Sequence, residues 1–202
     1  MPRYVLVDVD GTLIPKRYNT TYHLLMEYFA HKRPFLWVFR YILVRWEWLI
    51  VYLISKILPI NRLLVSKIIL TLSLSGVRYD DLYGFITERL SKVPLNVDVI
   101  SDVKKFKQKG YKIVVLSATI EPVSNYISHV IGADSYIGTI LSLKNGKIIS
   151  IKTRHLGDTK YKEVIKNKWK PYIYYTDDTN EKILIKNAEK AIIVNFTLSS
   201  KP

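Results

Sequence analysis

The stretch Val5-Leu6-Val7-Asp8-Val9-Asp10-Gly11-Thr12-Leu13 decides the fold of this chain. Its apolar residues form a nearly continuous run, which is typical of a strand buried on both faces of a parallel sheet. Two aspartates interrupt the carboxyl end of that run, and a Gly-Thr turn follows at once. An unpaired buried carboxylate is costly, and a divalent cation at the C-terminal edge of an open α/β sheet would offset that cost. The alternative is a strand that ends in an Asp-Gly turn, which is a common hairpin signal.

The composition indicates one domain of ordinary size, or one core with a modest insertion. The chain has 202 residues, of which 49% are hydrophobic, and this is enough to bury a core. It has no cysteine, which excludes a disulfide framework, a thiol nucleophile and a cysteine metal site. The formal net charge of +14 would attract phosphorylated metabolites or acidic lipid surfaces, or else reflect a solvated lysine-rich surface. Because no zinc finger, RNP-type aromatic motif or basic heptad array is present, no nucleic-acid partner is expected.

A helical region follows the first strand. Its most apolar part, FLWVFRYILVRWEWLIVYLISKIL over residues 35–58, is predicted as one helix and is long enough to span a bilayer. At 100° per residue, Arg40 and Glu47 fall on one side of it, whereas Arg45 and Lys56 fall nearly opposite, so a simple transmembrane helix is not expected. Two interpretations remain open. The region is a small bundle whose apolar residues pack on one another, or an aromatic and basic surface that rests on lipid headgroups or covers an apolar substrate.

From Pro94 onward the sequence alternates between helix and strand patterns. Helices are predicted over residues 96–109, 121–131, 158–168 and 180–188, strands over 111–116, 172–175 and 191–194, and a hairpin around Asn145-Gly146 over 136–151. Strands that alternate with helices predict a parallel sheet with right-handed crossovers. The expected fold class is therefore α/β, a Rossmann-like parallel sheet with an inserted all-helical cap.

Polar residues that suit phosphoryl transfer follow the predicted strands, at one edge of a parallel sheet, or begin a helix that leads into one of them. They are Asp8, Asp10, Ser117, Asp177 and Asp178 at strand ends, and Lys160 at a helix start. A carboxylate can attack phosphorus, and Mg²⁺ held by one or two carboxylates can neutralise the charge of the phosphoryl group. A lysine and a hydroxyl can hold the remaining oxygens.

The chain resembles the haloacid dehalogenase (HAD) superfamily of phosphatases, whose four motifs occur here in order. Asp8-Val9-Asp10-Gly11-Thr12-Leu13 is similar to the first motif, DxDGT(L/V), and Ser117 after YKIVVL is similar to the second. Lys160 in Gly157-Asp158-Thr159-Lys160 is similar to the third motif, and Asp177-Asp178-Thr179-Asn180-Glu181 to the acidic fourth. The helical insertion is similar to that of the C1-capped subgroup, which includes phosphoserine phosphatase.

This resemblance implies a HAD Rossmann-like core over residues 1–15 and 95–202 and a C1-type cap over residues 16–94. It further implies a Mg²⁺-dependent phosphomonoester hydrolase that works through an aspartyl-phosphate. Asp8 would be the nucleophile, and Asp10 would protonate the leaving oxygen and then activate water.

The resemblance also implies two sets of binding residues. The expected metal-binding residues are Asp8, Asp10 through its backbone carbonyl, Asp177 and Asp178. The residues expected to bind the phosphoryl group are Gly11, Thr12, Ser117, Ala118 and Lys160.

Two of these assignments have alternatives in the sequence. The third-motif lysine lies in a lysine-rich helix, where Lys162 or Lys166 could take its role. The fourth motif departs from the family pattern Gly-Asp-(Ser)-x-x-Asp. Aligning Asp177 with the metal ligand and Glu181 with the later acid leaves Asp178 as a neighbouring group or as the true ligand.

The apolar, aromatic and basic cap and the segment at residues 153–157 resemble phosphatidylglycerophosphatase C-type members and HAD domains fused to polyprenyl-phosphate transferases. That resemblance implies a lipid or polyprenyl phosphate substrate and a peripheral membrane contact through residues 35–75. The alternatives are a soluble small-molecule phosphatase, such as one acting on phosphoserine, and a non-catalytic scaffold whose helical insertion docks a partner. No clear Arg/Glu pair for recognising an amino acid is visible in the cap. Because the sequence starts directly with a strand and shows no signal-peptide pattern, the expected location is the cytoplasm or the inner face of the membrane.

Overall fold

The computed structural model describes residues 2–18, 20–31, 35–57, 62–155, 157 and 159–196. The strands are β1 (Tyr4–Val7), β2 (Lys112–Ile120), β3 (Ser135–Lys144), β4 (Lys147–Thr153), β5 (Tyr172–Thr176) and β6 (Lys190–Ile193). The helices are α1 (Thr20–His31), α2 (Phe35–Arg45), α3 (Glu47–Ile57), α4 (Arg62–Leu74), α5 (Tyr79–Leu90), α6 (Val97–Gln108), α7 (Glu121–Ile131), α8 (Thr159–Lys166) and α9 (Lys182–Asn187). A 3-10 turn over Lys16–Tyr18 precedes α1.

The described strands form one sheet in the order β4-β3-β2-β1-β5-β6. β1 pairs in parallel with β2 and β5, and β5 pairs in parallel with β6, whereas β3 and β4 are antiparallel. β1 is thus flanked by strands on both sides, and its Val5, Leu6 and Val7 are fully buried, as the apolar run predicts. The α/β class with a largely parallel sheet is confirmed.

One hydrophobic cluster holds the strands of the parallel part of the sheet against α8 and α9. Its buried members are Leu6, Val114, Leu116, Val164, Trp169, Tyr172, Tyr174 and Leu184. Each helix contributes one buried side chain to this cluster, Val164 from α8 and Leu184 from α9, and Tyr161 and Ile185 pack against it from the same two helices. The cluster therefore fixes the start of α8, which carries Lys160, relative to the end of β1, which carries Asp8.

The second strand is longer than predicted. The sequence places its end at Leu116, before Ser117-Ala118-Thr119, but β2 continues through Ile120 and leads directly into α7. Both hydroxyls have partners: Thr119 Oγ1 lies 2.8 Å from Ser124 Oγ of α7, and Ser117 Oγ accepts a hydrogen bond from Thr119 N at 3.3 Å within the strand. With those hydroxyls paired, the two polar residues Ser117 and Thr119 no longer require a turn.

The hairpin is confirmed, and the conformation of its turn explains why Asn145 and Gly146 occupy it. Asn145 and Gly146 have φ angles of 52° and 71°. Positive φ at both central positions defines the type I′ turn, whose twist matches that of the two strands it joins.

The apolar region 35–58 is not one helix but α2 and α3, with Trp46 between them; Leu58 lies outside the described residues. Backbone hydrogen bonds from Trp46 N to Ile42 O (3.0 Å) and from Ile50 N to Trp46 O (2.9 Å) carry the helical pattern through this residue. Glu47, the first residue of α3, is buried, where it accepts a hydrogen bond from Ser66. Within the described residues, no helix combines the length and the apolar content that crossing a bilayer requires.

The chain divides into two compact units. One comprises Met1–Thr20, Lys92–Gly138 and His155–Pro202, and the other comprises Thr21–Ser91 and Thr139–Arg154. We call the second of these the helical unit, because it contains α2 to α5. The predicted boundaries placed residues 139–154 in the core, whereas the structure groups them with the helical unit.

Hydrogen bonds explain why residues 139–154 belong to the helical unit. Lys67 Nζ donates to Lys152 O at 2.9 Å, Ile151 N donates to Thr71 Oγ1 at 3.0 Å, and Gly76 N donates to Ile148 O at 2.7 Å. β4 is therefore hydrogen-bonded to α4 and to Gly76 just after it, and the end of β3 follows because it pairs with β4.

Candidate active site

Asp8 follows the last residue of β1 and is 6% exposed. Its amide donates to Tyr175 O at 3.0 Å, which continues the parallel pairing with β5. Its side chain accepts a hydrogen bond at Oδ1 from Val9 N at 2.7 Å. The carboxylate is thus held in one orientation at the carboxyl edge of the sheet.

A tight loop follows Asp8 and closes on itself. Leu13 N and Ile14 N both donate to Val9 O at 2.9 Å, and Gly11 N donates to Ile14 O at 2.7 Å. Asn96, which caps α6, donates through Nδ2 to Thr12 O at 3.1 Å. The loop is therefore fixed both internally and to the start of α6.

Lys160 lies in the first turn of α8 and is 2% exposed. Its Nζ donates to Asp8 Oδ2 at 2.8 Å and makes an ion pair with Glu181 Oε1 at 2.7 Å. Burial alone would lower the pKa of Lys160, but the charges of Asp8 and Glu181 outweigh burial and raise it above its ordinary value. The lysine is therefore a cation at neutral pH.

The alternative lysines lie away from this pair. Lys162 and Lys166 are both exposed, and Lys166 Nζ lies 3.5 Å from Glu163 Oε2. Of the three, Lys160 alone contacts Asp8 in the part of the chain that the structure describes.

Glu181, which the sequence aligned with the later acid of the fourth motif, is the second counter-ion of Lys160. Its Oε2 accepts hydrogen bonds from Tyr174 OH and from Thr176 Oγ1, the latter at 3.0 Å. Burial raises the pKa of Glu181, and the nearby charge of Asp8 adds to this, while Lys160 acts against both. Sequence reasoning missed Tyr174 and Thr176 because they look like ordinary strand residues.

Asp177 and Asp178 point to different partners. A Cβ at Gly11, whose φ is +73°, would lie 2.2 Å from Asp177 Cγ, so the Asp177 carboxylate occupies the space beside this glycine. Asp177 Oδ2 also accepts a hydrogen bond from Lys16 Nζ at 3.0 Å. Asp178 instead accepts from Asn180 N at 2.9 Å, within its own turn.

Lys16 is a residue that the sequence interpretation did not single out. Its hydrogen bond to Asp177 raises the pKa of Lys16 above its ordinary value. The signal available in the sequence was its place two residues after the loop that closes at Ile14. Such a position on an exposed turn is not distinctive in a chain with 31 lysines and arginines.

The strand register brings the second-motif serine to the same edge. Val7 is level with Val115 of β2 and with Tyr175 of β5. Ser117 and Asp177 each lie two positions beyond those residues. Both therefore lie toward the edge of the sheet at which Asp8 lies.

The remaining predicted phosphate-binding residues differ in what they can offer. The amides of Gly11 and Thr12 donate within the loop, to Ile14 O and Val9 O, so they are engaged there. Thr12 Oγ1 is buried and has no hydrogen-bond partner among the described residues. Ala118 and the side chain of Asp10 are half-buried. Of these donors, the Thr12 hydroxyl is thus the one that is not engaged within the described residues.

The donor set suits Mg²⁺ in its chemistry. Within the described residues there is no cluster of three His, Cys, Asp or Glu side chains that could share a metal ion. Mg²⁺ needs no such cage, because it binds through one or two carboxylates and keeps several water molecules. Asp8 and Asp177, together with the backbone carbonyl of Asp10, make a set of oxygen ligands that fits this requirement.

Comparison with known proteins supports the fold. No protein-family model and no curated protein matches this sequence. Among solved structures, a protein of unknown function from Bordetella pertussis Tohama I is similar, with a TM-score of 0.69 and 17% identity over 96% of this chain and 90% of that one. A substrate-bound phosphoserine phosphatase is similar with a TM-score of 0.59 and 17% identity, over 96% of this chain and 86% of its own.

A HAD family hydrolase from Salmonella enterica is a third similar structure. Its TM-score is 0.64 at 10% identity, over 93% of this chain and 61% of that one. At identities of this size the likeness shows the fold. The chain therefore has the fold of the haloacid dehalogenase hydrolases, and its structural neighbours include phosphoserine phosphatases.

Proposed function

We propose that this protein is a Mg²⁺-dependent phosphomonoester hydrolase that forms an aspartyl-phosphate on Asp8. The observation that carries the proposal is the buried contact between Asp8 and Lys160, at 2.8 Å, beside a closed loop. A main-chain amide and a lysine hold this buried carboxylate in one orientation at the carboxyl edge of the sheet, which suits nucleophilic attack on phosphorus.

In the first half-reaction, a carboxylate oxygen of Asp8 bonds to phosphorus while the bond from phosphorus to the leaving oxygen breaks. Asp10 gives its proton to that oxygen. Lys160 has one N–H left after its two ion pairs and can donate it to a phosphoryl oxygen, and Ser117 and Thr12 can donate their hydroxyl protons in the same way.

In the second half-reaction, Asp10 takes a proton from water as that water attacks phosphorus, and the bond to Asp8 breaks. Inorganic phosphate leaves, and Asp8 and Asp10 return to their starting states. The residues that would hold Mg²⁺ are Asp8, Asp177 and the Asp10 carbonyl. When bound, the ion supplies positive charge that offsets the charge of the phosphoryl oxygens. The engagement of Asp178 in its own turn favours Asp177 as the ligand.

As the substrate we favour a lipid or polyprenyl phosphate. The enzyme would reach it through a peripheral membrane contact of residues 35–75 at the cytoplasmic side. Of these, residues 58–61 lie outside the described part of the chain. The observation in favour is the number of large apolar side chains that α2 and α3 leave exposed, because exposed apolar patches mark interaction sites.

The second candidate is a soluble small-molecule phosphatase of the phosphoserine type. The helical unit contains an Arg/Glu pair that the sequence did not bring out, since Arg154 Nη2 lies 3.5 Å from Glu47 Oε1. Its support for this candidate is limited, because both side chains are buried and already bound to each other.

A rate assay with an aryl phosphate tests the general proposal. We expect hydrolysis that needs Mg²⁺ and is lost in Asp8→Asn, while Asp98→Asn, a matched change on an exposed aspartate of α6, keeps the wild-type rate. Equal rates for wild type and Asp8→Asn would contradict the proposal. A panel of phosphoserine, phosphatidic acid and polyprenyl phosphate in detergent micelles then separates the two candidates by their relative kcat/KM.

A further inference from the structure

The consecutive helices α2 and α3 are apolar but hardly buried. All but five of the 23 residues from Phe35 to Ile57 are apolar or aromatic. Yet of the side chains that the structure describes in this segment, only Val44 and Glu47 are buried. A helix with so many apolar residues normally belongs to a core, so this segment lacks the cover that its composition requires.

The exposed side chains are large. Phe39 is 57% exposed and Ile57 78% exposed. The remaining large apolar side chains exposed in this segment are Val38, Tyr41, Ile42, Trp46, Tyr52 and Leu53. We name this set, Phe39 and Ile57 included, the α2–α3 apolar face. α2 and α3 both pack against α4, so the face is presented by a supported part of the helical unit.

The exposed charged side chains that the structure describes in this segment are all positive. Between residues 35 and 75 the sequence has five basic residues and a single acidic one. That acid, Glu47, is buried and paired with Arg154, so it does not offset the basic groups at the surface. Arg45 and Lys56 are exposed, and at 100° per residue they lie among the apolar side chains of the face, from which their long side chains can extend to the lipid headgroups.

The aromatic residues of this segment lie beside those cations. The Arg45 guanidinium lies 5.7 Å from the Trp46 ring centroid, and Lys56 Nζ lies 5.9 Å from that of Tyr52. Aromatic rings beside basic groups are typical of helices that lie in the headgroup region of a bilayer, with the rings at the apolar boundary and the cations among lipid phosphates.

We infer that the α2–α3 apolar face docks in the plane of an anionic lipid bilayer, with Arg45 and Lys56 on the lipid phosphates. A second copy of this chain fits less well, because a two-fold contact would bring these cations against each other with no exposed acid on this segment to pair with them. The purpose of this docking rests on the proposed function, because it would bring the enzyme to lipid-linked phosphate. The docking itself does not depend on catalysis.

Co-sedimentation with vesicles tests the inference. Vesicles of phosphatidylcholine with phosphatidylglycerol, at low salt, should carry the wild-type protein into the pellet, whereas pure phosphatidylcholine should bind it far more weakly. Arg45→Gln with Lys56→Gln should weaken binding about fivefold per cation removed. Phe39→Asn with Ile57→Asn should weaken it at least about tenfold, because two large apolar anchors are lost.

Matched controls come from exposed positions outside the helical unit. Lys105→Gln with Lys166→Gln removes the same net charge, and Val97→Asn with Val130→Asn removes exposed apolar side chains. Both control pairs should bind vesicles as the wild type does. All variants should keep the wild-type circular dichroism spectrum and aryl phosphatase rate, which separates lost docking from lost folding.

Three results would overturn the inference. The first is that the wild-type protein stays in the supernatant with anionic vesicles at low salt. Alternatively, the control pairs lose as much binding as the α2–α3 variants, which would indicate attraction by net charge alone. Or the face mediates self-association in place of vesicle binding, seen by light scattering as a dimer that the α2–α3 variants abolish. Asp8→Asn should bind vesicles normally, so failure of catalysis and failure of docking are told apart.

Discussion

Replacing Lys160 by methionine removes the one cation from a buried group of charges while keeping a side chain of similar volume. In the wild type, Nζ lies 2.8 Å from Asp8 Oδ2 and 2.7 Å from Glu181 Oε1, and all three side chains are at most 8% exposed. Removing one partner of a buried ion pair costs about 3–5 kcal/mol, because the remaining charge is left uncompensated. Here two carboxylates are left. We therefore expect a loss of at least about 3 kcal/mol in the free energy of unfolding, a large part of the total stability of an ordinary domain.

The loss should depend on pH in a defined direction. Burial raises the pKa of Glu181, and Lys160 opposes that rise, so Lys160→Met should raise the Glu181 pKa further. A carboxyl group whose folded pKa lies above its unfolded value stabilises the fold below the unfolded pKa, and that stability is lost as pH rises through the folded pKa. The destabilisation should thus be smaller near pH 5 than near pH 8.

Urea unfolding followed by circular dichroism at both pH values measures this effect. Lys166→Met, at an exposed lysine on the same helix, should change the free energy of unfolding by less than about 0.5 kcal/mol. The double variant Lys160→Met/Glu181→Gln should recover part of the loss, because one carboxylate is removed with the lysine. A Lys160→Met protein as stable as Lys166→Met, or one equally destabilised at both pH values, would refute the buried three-charge arrangement.

Three further predictions concern positions in and outside the site. Gly11→Ala should lower the free energy of unfolding by about 1–2 kcal/mol, because the backbone of residue 11 is left-handed. It should also lower aryl phosphatase activity, because a Cβ at this position would displace Asp177. Gly84→Ala on α5, where a Cβ would have nothing within 4 Å, should be neutral or stabilising in the same assays. Arg154→Leu should destabilise the protein by at least about 2 kcal/mol in urea unfolding, since Glu47 would lose its buried counter-ion, and a change within about 0.5 kcal/mol would contradict the pairing. Partial burial would raise the pKa of Asp134, but hydrogen bonds from the Ile113 amide and the Lys112 ammonium hold that pKa below its ordinary value. The stability that Asp134 contributes should therefore be present above about pH 4 and lost at lower pH. The difference in free energy of unfolding between wild type and Asp134→Asn should shrink as pH falls, and a constant difference would contradict this.

The order of elements and the residues at the sheet edge could be predicted because local rules decide them. The apolar run before Asp8 requires a doubly buried strand, and the Asn145-Gly146 pair requires a type I′ turn. The carboxyl edge of a parallel sheet then gathers the residues that come directly after each strand, which is why Ser117 and Asp177 come to the same edge as Asp8.

The details that could not be predicted depend on pairing between distant residues. The continuation of β2 through Thr119 depends on a hydrogen bond to Ser124, and the assignment of residues 139–154 to the helical unit depends on partners in α4 and beyond. The choice of Lys160 over Lys162 and Lys166 depends on which face of α8 is buried. The composition left open whether α2 and α3 pack into a bundle or form a surface, and only the packed structure shows that most of their described side chains are exposed or half-buried.

If Asp8 is the nucleophile, it becomes phosphorylated during turnover. Rapid acid quenching of the protein during hydrolysis of an aryl phosphate with Mg²⁺, followed by peptide mass spectrometry, measures this directly. We predict one added phosphoryl group on the peptide that contains Asp8, located at Asp8 by fragmentation, and none in Asp8→Asn. Turnover at the wild-type rate in Asp8→Asn, or a phosphoryl group found on another residue, would contradict the account.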